Sequence, residues 1–330
     1  MNGMRVICGL FVGAYADRRR ADLWLRLAGC QRHRGSRKAT TKRIIGGNSE
    51  LNEFMAKALQ PLLDRYTPTW WTNSHIQCFL TFLVPQSPVN YKRDVLTFKD
   101  GGQASLDWAL DESMRSLCAE ALAHGYRPVV FNKRGHGGLK LATPKLQAFG
   151  CVQDLQEAIA HVENIFPTSE LYGIGCSAGS GLLCSYLCEL GDKSRLRAGV
   201  LISPGYNAFD LFCRGKINPS LKATSIREFD QHVYMKMHGY QDLEAYWKVN
   251  NPCETWIISS AFLCINALDD PVCTKETIRK PLRLLRGEFP AQTWCNEAAM
   301  TYLDRLREFN AASEIESILE TRVDATAVTA

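Results

Sequence analysis

Apolar positions in this chain recur with two different periods, and the switches between them lay out most of the fold. Leu51, Phe54, Met55, Leu59, Leu62 and Leu63 repeat at helical spacing, which predicts a helix over about 50–64. Asp94 to Phe98 and Gln103 to Trp108 alternate in strand fashion around Lys99-Asp100-Gly101-Gly102, and that turn chemistry predicts a hairpin. A helical pattern from Met114 to His124 stops at Gly125. The run from Arg127 to Asn132 then reads as a buried strand, closed by Arg134-Gly135-His136-Gly137-Gly138. Val152, Leu155, Ile159, Val162 and Phe166 step by three and four up to Pro167, giving a further helix.

A short strand follows and ends in Gly175-Cys176-Ser177-Ala178-Gly179, where the period changes again. The helix behind that turn carries Leu182, Leu183, Tyr186, Leu187 and Leu190 and stops at Gly191. Ala198 to Ser203 is another strand, ended by Pro204-Gly205. Residues 207–256 are more polar, with aromatics scattered through helical stretches. A strand from Phe262 to Ala267 reaches Asp269-Asp270-Pro271, and a last amphipathic helix covers about 296–309. Strand and helix alternate from 114 to 309, which argues for a parallel sheet covered on both faces. No internal repeat is visible.

Gly-x-Ser-x-Gly between a strand and a helix is the first chemical signal. A turn that sharp holds its serine in strained backbone, with the hydroxyl exposed and a helix N-terminus beneath it. Gly175 and Gly179 are required there because a Cβ would collide with neighbouring backbone. Ser177 is thus a candidate nucleophile.

Composition narrows the setting. Hydrophobic residues at 46% and charged residues at 22% fit a globular protein with a sizeable core. Thirteen cysteines, an odd number without a CxxC pair, suit buried free thiols in a reduced compartment. That favours an intracellular protein, cytoplasmic or membrane-associated. Cys184 and Cys188, one helical turn apart, point to packing rather than metal.

Residues 1–43 hold eleven Lys and Arg against Asp17 and Asp22, so the net charge of +5 divides into +9 there and −4 over the rest. The mildly acidic body excludes a nucleic-acid partner. Val6 to Ala16 is apolar but well short of the ~20 residues a membrane span needs. It reads as a degenerate anchor, an arginine-rich targeting segment or a disordered leader, and the first of these carries an expectation of membrane association. The expected layout is a basic leader over 1–49, a catalytic domain over 50–310 with a cap-like insertion at 207–256, and a flexible tail over 311–330.

Several segments in order extend the signal beyond the elbow. They are Pro68-Thr69-Trp70-Trp71, Asp100-Gly101-Gly102-Gln103 with Leu106-Asp107-Trp108, Val129 to Gly135, Ile226-Arg227-Glu228-Phe229-Asp230, and Asn266 to Pro271. Together they resemble one branch of the α/β-hydrolases, AB hydrolase family four, over roughly residues 50–310. The resemblance implies an α/β-hydrolase fold, a mostly parallel sheet with helices on both faces and a small cap. It also implies hydrolysis of carboxylic esters, with a lipid or other acyl ester as the small-molecule substrate and no cofactor or metal. Ser177 would be the nucleophile and the Ala178 amide one oxyanion-hole donor. Asp270 would be the triad acid, with Asp269 the second candidate; Asp-Asp-Pro also suits an ordinary strand-ending turn.

The chain departs from that pattern twice. Between Asp111 and Ser113 the family carries a strand and a Gly-rich loop that supplies the second oxyanion donor, and about 25 residues are missing here against the length of such a unit. The gap is expected in mid-sheet beside the elbow strand, where each unpaired buried backbone group costs about 1–3 kcal/mol. The second departure is the catalytic histidine, which the family places in a Gly-Gly-His segment after the acid. The seven histidines here are 33, 75, 124, 136, 161, 232 and 238, and none follows Asp270. No catalytic histidine is therefore identified. His136 is the nearest stand-in by topology and reads more simply as a loop residue. An inactive hydrolase-like protein, or an aberrant splice or gene-model product, is the alternative to an impaired esterase.

Gly173-Ile174-Gly175-Cys176-Ser177-Ala178 also fits a dinucleotide fingerprint. That reading needs an acid at the end of the next strand to hold the ribose, and Ser203-Pro204-Gly205 stands there instead.

Overall fold

A computed structural model describes residues 5–11, 49–65, 90–110, 117–148, 151–204, 226–250, 260–266, 285–286 and 291–327. Eight strands form one sheet: β1 (Arg5–Phe11), β2 (Tyr91–Thr97), β3 (Gln103–Ala109), β4 (Arg127–Asn132), β5 (Glu170–Cys176), β6 (Leu196–Ile202), β7 (Ala261–Asn266) and β8 (Leu285–Arg286). Their order across the sheet is β2-β3-β4-β1-β5-β6-β7-β8. β2, β3 and β4 pair antiparallel, and every other pairing is parallel.

The hairpin forms as its turn residues dictate. Gly101 takes φ +78, and the Phe98 amide donates to the Gly102 carbonyl at 2.9 Å. β4, β5 and β6 are buried almost throughout and largely apolar, as strands covered on both faces must be, whereas β3 is as buried but alternates, with Ser105 and Asp107 among its buried residues.

The middle of the sheet corrects the sequence expectation. The position beside the elbow strand is filled, and its occupant is β1, from the stretch assigned to a leader. All seven residues of β1 face partners in β5, from Arg5 opposite Glu170 to Phe11 opposite Cys176, and four face β4. The physical reason is the backbone: two buried parallel edges need partners, and Val6 to Phe11 is an uncharged run able to sit between them. The sheet thins instead at its far edge, where β8 is only two residues long.

Helices cover the two faces. α1 (Glu50–Arg65) buries Met55, Leu59, Leu62 and Leu63 and packs against the last helix, with Phe54 and Phe309 rings 5.4 Å apart. α2 (Leu117–Ala123) ends in a Schellman motif on Gly125 at φ +74, the Tyr126 amide reaching back to Ala121 at 2.9 Å. α3 (Gln153–Ile165) and α4 (Ala178–Leu190) pack in the largest apolar cluster with Leu106, Val129, Phe131 and Leu201. Cys184 belongs to that cluster and Cys188 packs against it.

The last helix, α8, runs Ala291–Ala327, so residues 311–327 extend it rather than forming a loose tail. Ile315 on that extension is 60% exposed, so helix-forming composition rather than burial carries it outward. Among the described residues, no helix is long and apolar enough to cross a membrane.

The cap-like stretch contributes α5 (Ile226–Phe229), a π-helical turn (Asp230–Tyr234), α6 (Met235–Met237) and α7 (Leu243–Asn250). Asp230 is 2% exposed, and the Trp247 indole donates to it at 3.0 Å. Burial pushes its carboxyl up to about 6. The native state therefore holds this proton more tightly than the unfolded chain, where an aspartate titrates near 3.9. That stabilisation is complete below pH ~4 and is lost as pH rises through about 6. Asp230→Asn keeps an acceptor for Trp247 and removes the buried charge. It is expected to be about 2 kcal/mol more stable than the parent at pH 8 and equal to it at pH 4, as read by urea denaturation. A variant less stable at pH 8 would mean that Arg227, stacked on Trp247 at 5.5 Å, compensates the ionised form.

Candidate active site

β5 and α4 meet at Ser177, and the junction is built from backbone. Ser177 has φ +50 and ψ −117, a conformation L residues avoid, and its side chain is exposed. Its amide donates to Ile202 O at 2.9 Å, while its carbonyl accepts from Ser180 at 3.0 Å and Gly181 at 3.2 Å. Ser180, fully buried, ties the first turn of α4 to β6 by donating its hydroxyl to the same Ile202 carbonyl at 2.7 Å. A Cβ on Gly175 would lie 2.6 Å from Ser180 Cα and 2.7 Å from Gly179 O, so the sequence argument for that glycine holds. Strain is thereby locked in by neighbours on every side, as stored strain requires.

Ala178 is the first residue of α4, and its amide has no acceptor within the helix. It points the positive end of the helix dipole toward the space above Ser177. Cys176, one residue upstream, is not a rival nucleophile, because burial pushes its thiol up to about 12.

The chain supplying β1 also reaches this point. Leu10 is opposite Gly175 and Phe11 opposite Cys176, so β1 ends level with the residue before the elbow serine. β7 brings the backbone to the same end of the sheet, with Ser203 of the β6 end donating its amide to Ile265 O at 2.8 Å. Asp269 and Asp270 follow β7 and lie outside the described residues, as do His33 and His75.

Among the described residues, no histidine hydrogen-bonds Ser177. The His136 ring donates Nδ1–H to Arg134 O of its own loop at 3.0 Å, and burial holds the ring below the ordinary histidine range. His238 contacts Leu146 O at 2.8 Å and the Cys151 thiol at 3.6 Å. His124 pairs with Asp304 at 2.6 Å. A cavity of about 560 Å³, lined by Lys92, Trp108, Arg127 and Phe166 among others, opens at the opposite end of the sheet, where β4 begins. It is not the catalytic cleft.

The segments that carried the family resemblance serve the loops around this end. The Arg134 guanidinium, 3% exposed, grips Asp154 through Nε at 2.6 Å and Nη2 at 2.8 Å, and reaches Asp100 at 2.6 Å. Asp107 accepts from Arg93 at 2.6 Å and from Asn132 at 2.8 Å, while Arg93 also donates to Gly137 O at 2.6 Å. These two networks pin the hairpin and the loop after β4 to each other. Sequence reasoning singled out Asp100, Asp107, Asn132 and Arg134 within those segments but not their partners Arg93 and Asp154, and had no means of pairing them.

A strained, exposed serine thus stands on a strand-to-helix turn at the C-terminal end of the parallel strands. A family model described as alpha/beta hydrolase fold matches residues 109–266, and the chain has that fold. Among curated proteins it is similar to human Protein ABHD15, 28% identical over 287 residues, covering 68% of this chain and 61% of that protein. It is also similar to human Phospholipase ABHD3, 28% identical over 294 residues, covering 70% and 72%. Human Monoacylglycerol lipase ABHD2 is 23% identical over 313 residues, covering 72% and 73%. Among solved structures, the Pyrococcus furiosus esterase Pf2001 aligns with a TM-score of 0.46 at 18% identity, covering 66% of this chain and 93% of that one.

Proposed function

We propose that the protein is a serine hydrolase of carboxylic esters, acting on lipid or short- to medium-chain acyl esters through an acyl-enzyme on Ser177. The observation that carries this reading is the exposed Ser177 hydroxyl held at φ +50 on the N-terminus of α4. The Ala178 amide serves as one oxyanion donor, and Asp270, following β7, as the acid. The names of ABHD3 and ABHD2, a phospholipase and a monoacylglycerol lipase, support an acylated lipid as substrate. β1 occupies the place of the strand that, in the family pattern, leads into the loop with the second oxyanion donor. The reaction is acyl transfer to serine and then to water.

Turnover is expected to be far below that of an intact triad. Losing the histidine alone costs on the order of a million-fold in a comparable enzyme. One observation favours a second reading, a catalytically silent member: β8 runs into α8 through residues 287–290, with no histidine between them. A fluorophosphonate probe separates the two. The expected result is weak labelling of the full chain that disappears in Ser177→Ala. Labelling that survives this substitution would refute the site, and none at all would favour the silent form.

A further inference from the structure

The cavity at the end of the sheet opposite Ser177 has a wall suited to one kind of ligand. Its volume of about 560 Å³ lies inside the ~300–1,000 Å³ that small-molecule sites occupy. Rings and charges follow one another along that wall. The Arg127 guanidinium lies over the Phe166 ring at 4.9 Å, and Phe166 meets Trp108 edge-on at 5.6 Å. The Trp108 indole in turn donates to Asp94 at 2.7 Å. Each group is held by the next, so the wall is preformed and an occupant need not order it.

The charges of this wall are unevenly matched. Among the described residues that line the cavity, Lys92 and Arg127 are cations and Asp94 is the one carboxylate. Asp94 is taken up by the indole, while no carboxylate pairs with Lys92 or Arg127 among the described residues. Two cations against one anion leave a surplus of one positive charge. Leu110 and Ile165 line the same opening and are 62% and 43% exposed, so apolar surface is left uncovered beside the unmatched charge.

We propose that this cavity binds an amphiphilic monocarboxylate, a fatty-acid anion, at a site separate from Ser177. The carboxylate accepts hydrogen bonds from Lys92 and Arg127, and the hydrocarbon lies along Phe166, Trp108 and Leu110. A guanidinium stacked on an aromatic ring keeps its N–H edge free for a carboxylate, which it can grip with two parallel bonds. A monoanion cancels the surplus charge. A phosphate monoester carries ≈ −1.5 to −2 at pH 7 and overshoots it, and an uncharged alcohol leaves both cations unmatched. Binding here requires nothing of Ser177, so the site goes beyond the ester-hydrolase reading and stands apart from it.

The test is isothermal titration calorimetry of the full chain at neutral pH with monomeric decanoate, and with decanol and decyl phosphate as comparisons. One decanoate should bind per chain, and the two comparison ligands should bind more weakly. Lys92→Gln combined with Arg127→Gln should weaken decanoate about 10-fold, the sum expected of two partly exposed ion pairs. Leu110→Asp cancels the surplus charge and removes apolar surface, so it should weaken decanoate about as much. All three positions are exposed, and the variants should melt within about 4 °C of the parent. Ser177→Ala should leave the affinity unchanged. Decanoate that binds both cavity variants as it binds the parent, or that loses affinity in Ser177→Ala, would sit elsewhere and overturn the site. Decanol binding as tightly as decanoate, or decyl phosphate binding more tightly, would overturn the charge match. A parent chain that binds no decanoate would overturn the site and leave the ester-hydrolase reading standing, since that reading is judged by labelling of Ser177.

Discussion

Gly175→Ala is expected to disable the elbow and to destabilise the protein by about 3 kcal/mol, at the upper end of overpacking costs. The new methyl would meet Ser180 Cα, Ser180 N and Gly179 O, all within 2.7 Å and all backbone. No rotamer change relieves such a contact, so β5 and α4 must separate. Movement there breaks the pairing of the Ser177 amide with Ile202 O and the Ser180 hydroxyl bond to the same carbonyl, which hold the serine in its strained state. At about 2–4 °C per kcal/mol for a sizeable domain, the melting temperature should fall by roughly 6–12 °C. Fluorophosphonate labelling of Ser177 should vanish even at temperatures where the variant is fully folded. A variant that melts like its parent and keeps the label would mean that the turn has slack this geometry denies.

How much of this was legible in the residues depended on the range of the forces involved. The elbow was readable because its requirement is local: five consecutive residues set the turn and explain both the glycine and the exposed serine. The hairpin was readable for the same reason, through Asp100-Gly101-Gly102. β1 was not. What recruits Arg5–Phe11 is a pair of edges in residues 127–130 and 170–176, far along the chain. Basic residues crowded after it made the same stretch look like a leader. The extension of α8 past residue 310 was missed although Ile315, Ile318, Leu319 and Val323 continue the helical spacing there. For Asp270 the reading still rests on its place after β7.

Arg134→Met tests whether the family's separate signature segments act as one structural unit. The arginine is 3% exposed, forks onto Asp154, bonds Asp100 and lies over the Phe98 ring at 4.9 Å. Gly102 makes room for it: a Cβ there would come 2.1 Å from Nη1 and 2.5 Å from Cζ. Asp154, only 7% exposed, would be left in the α3 first turn as a carboxylate without its counter-ion. Removing one partner of a buried pair typically costs 3–5 kcal/mol, because the remaining charge is stranded, and about 4 kcal/mol is expected here. Asp100 contributes less to that sum. Its side chain is 41% exposed, so water can take over its solvation once the guanidinium is gone. The double variant Arg134→Met with Asp154→Leu should then recover most of the loss, since two apolar side chains of similar volume need no counter-charge. Urea denaturation of the four chains in the cycle gives the coupling. A double variant as unstable as Arg134→Met alone would show that the arginine stabilises the fold by fixing the hairpin and the loop after β4 in place, and that neutralising Asp154 is secondary.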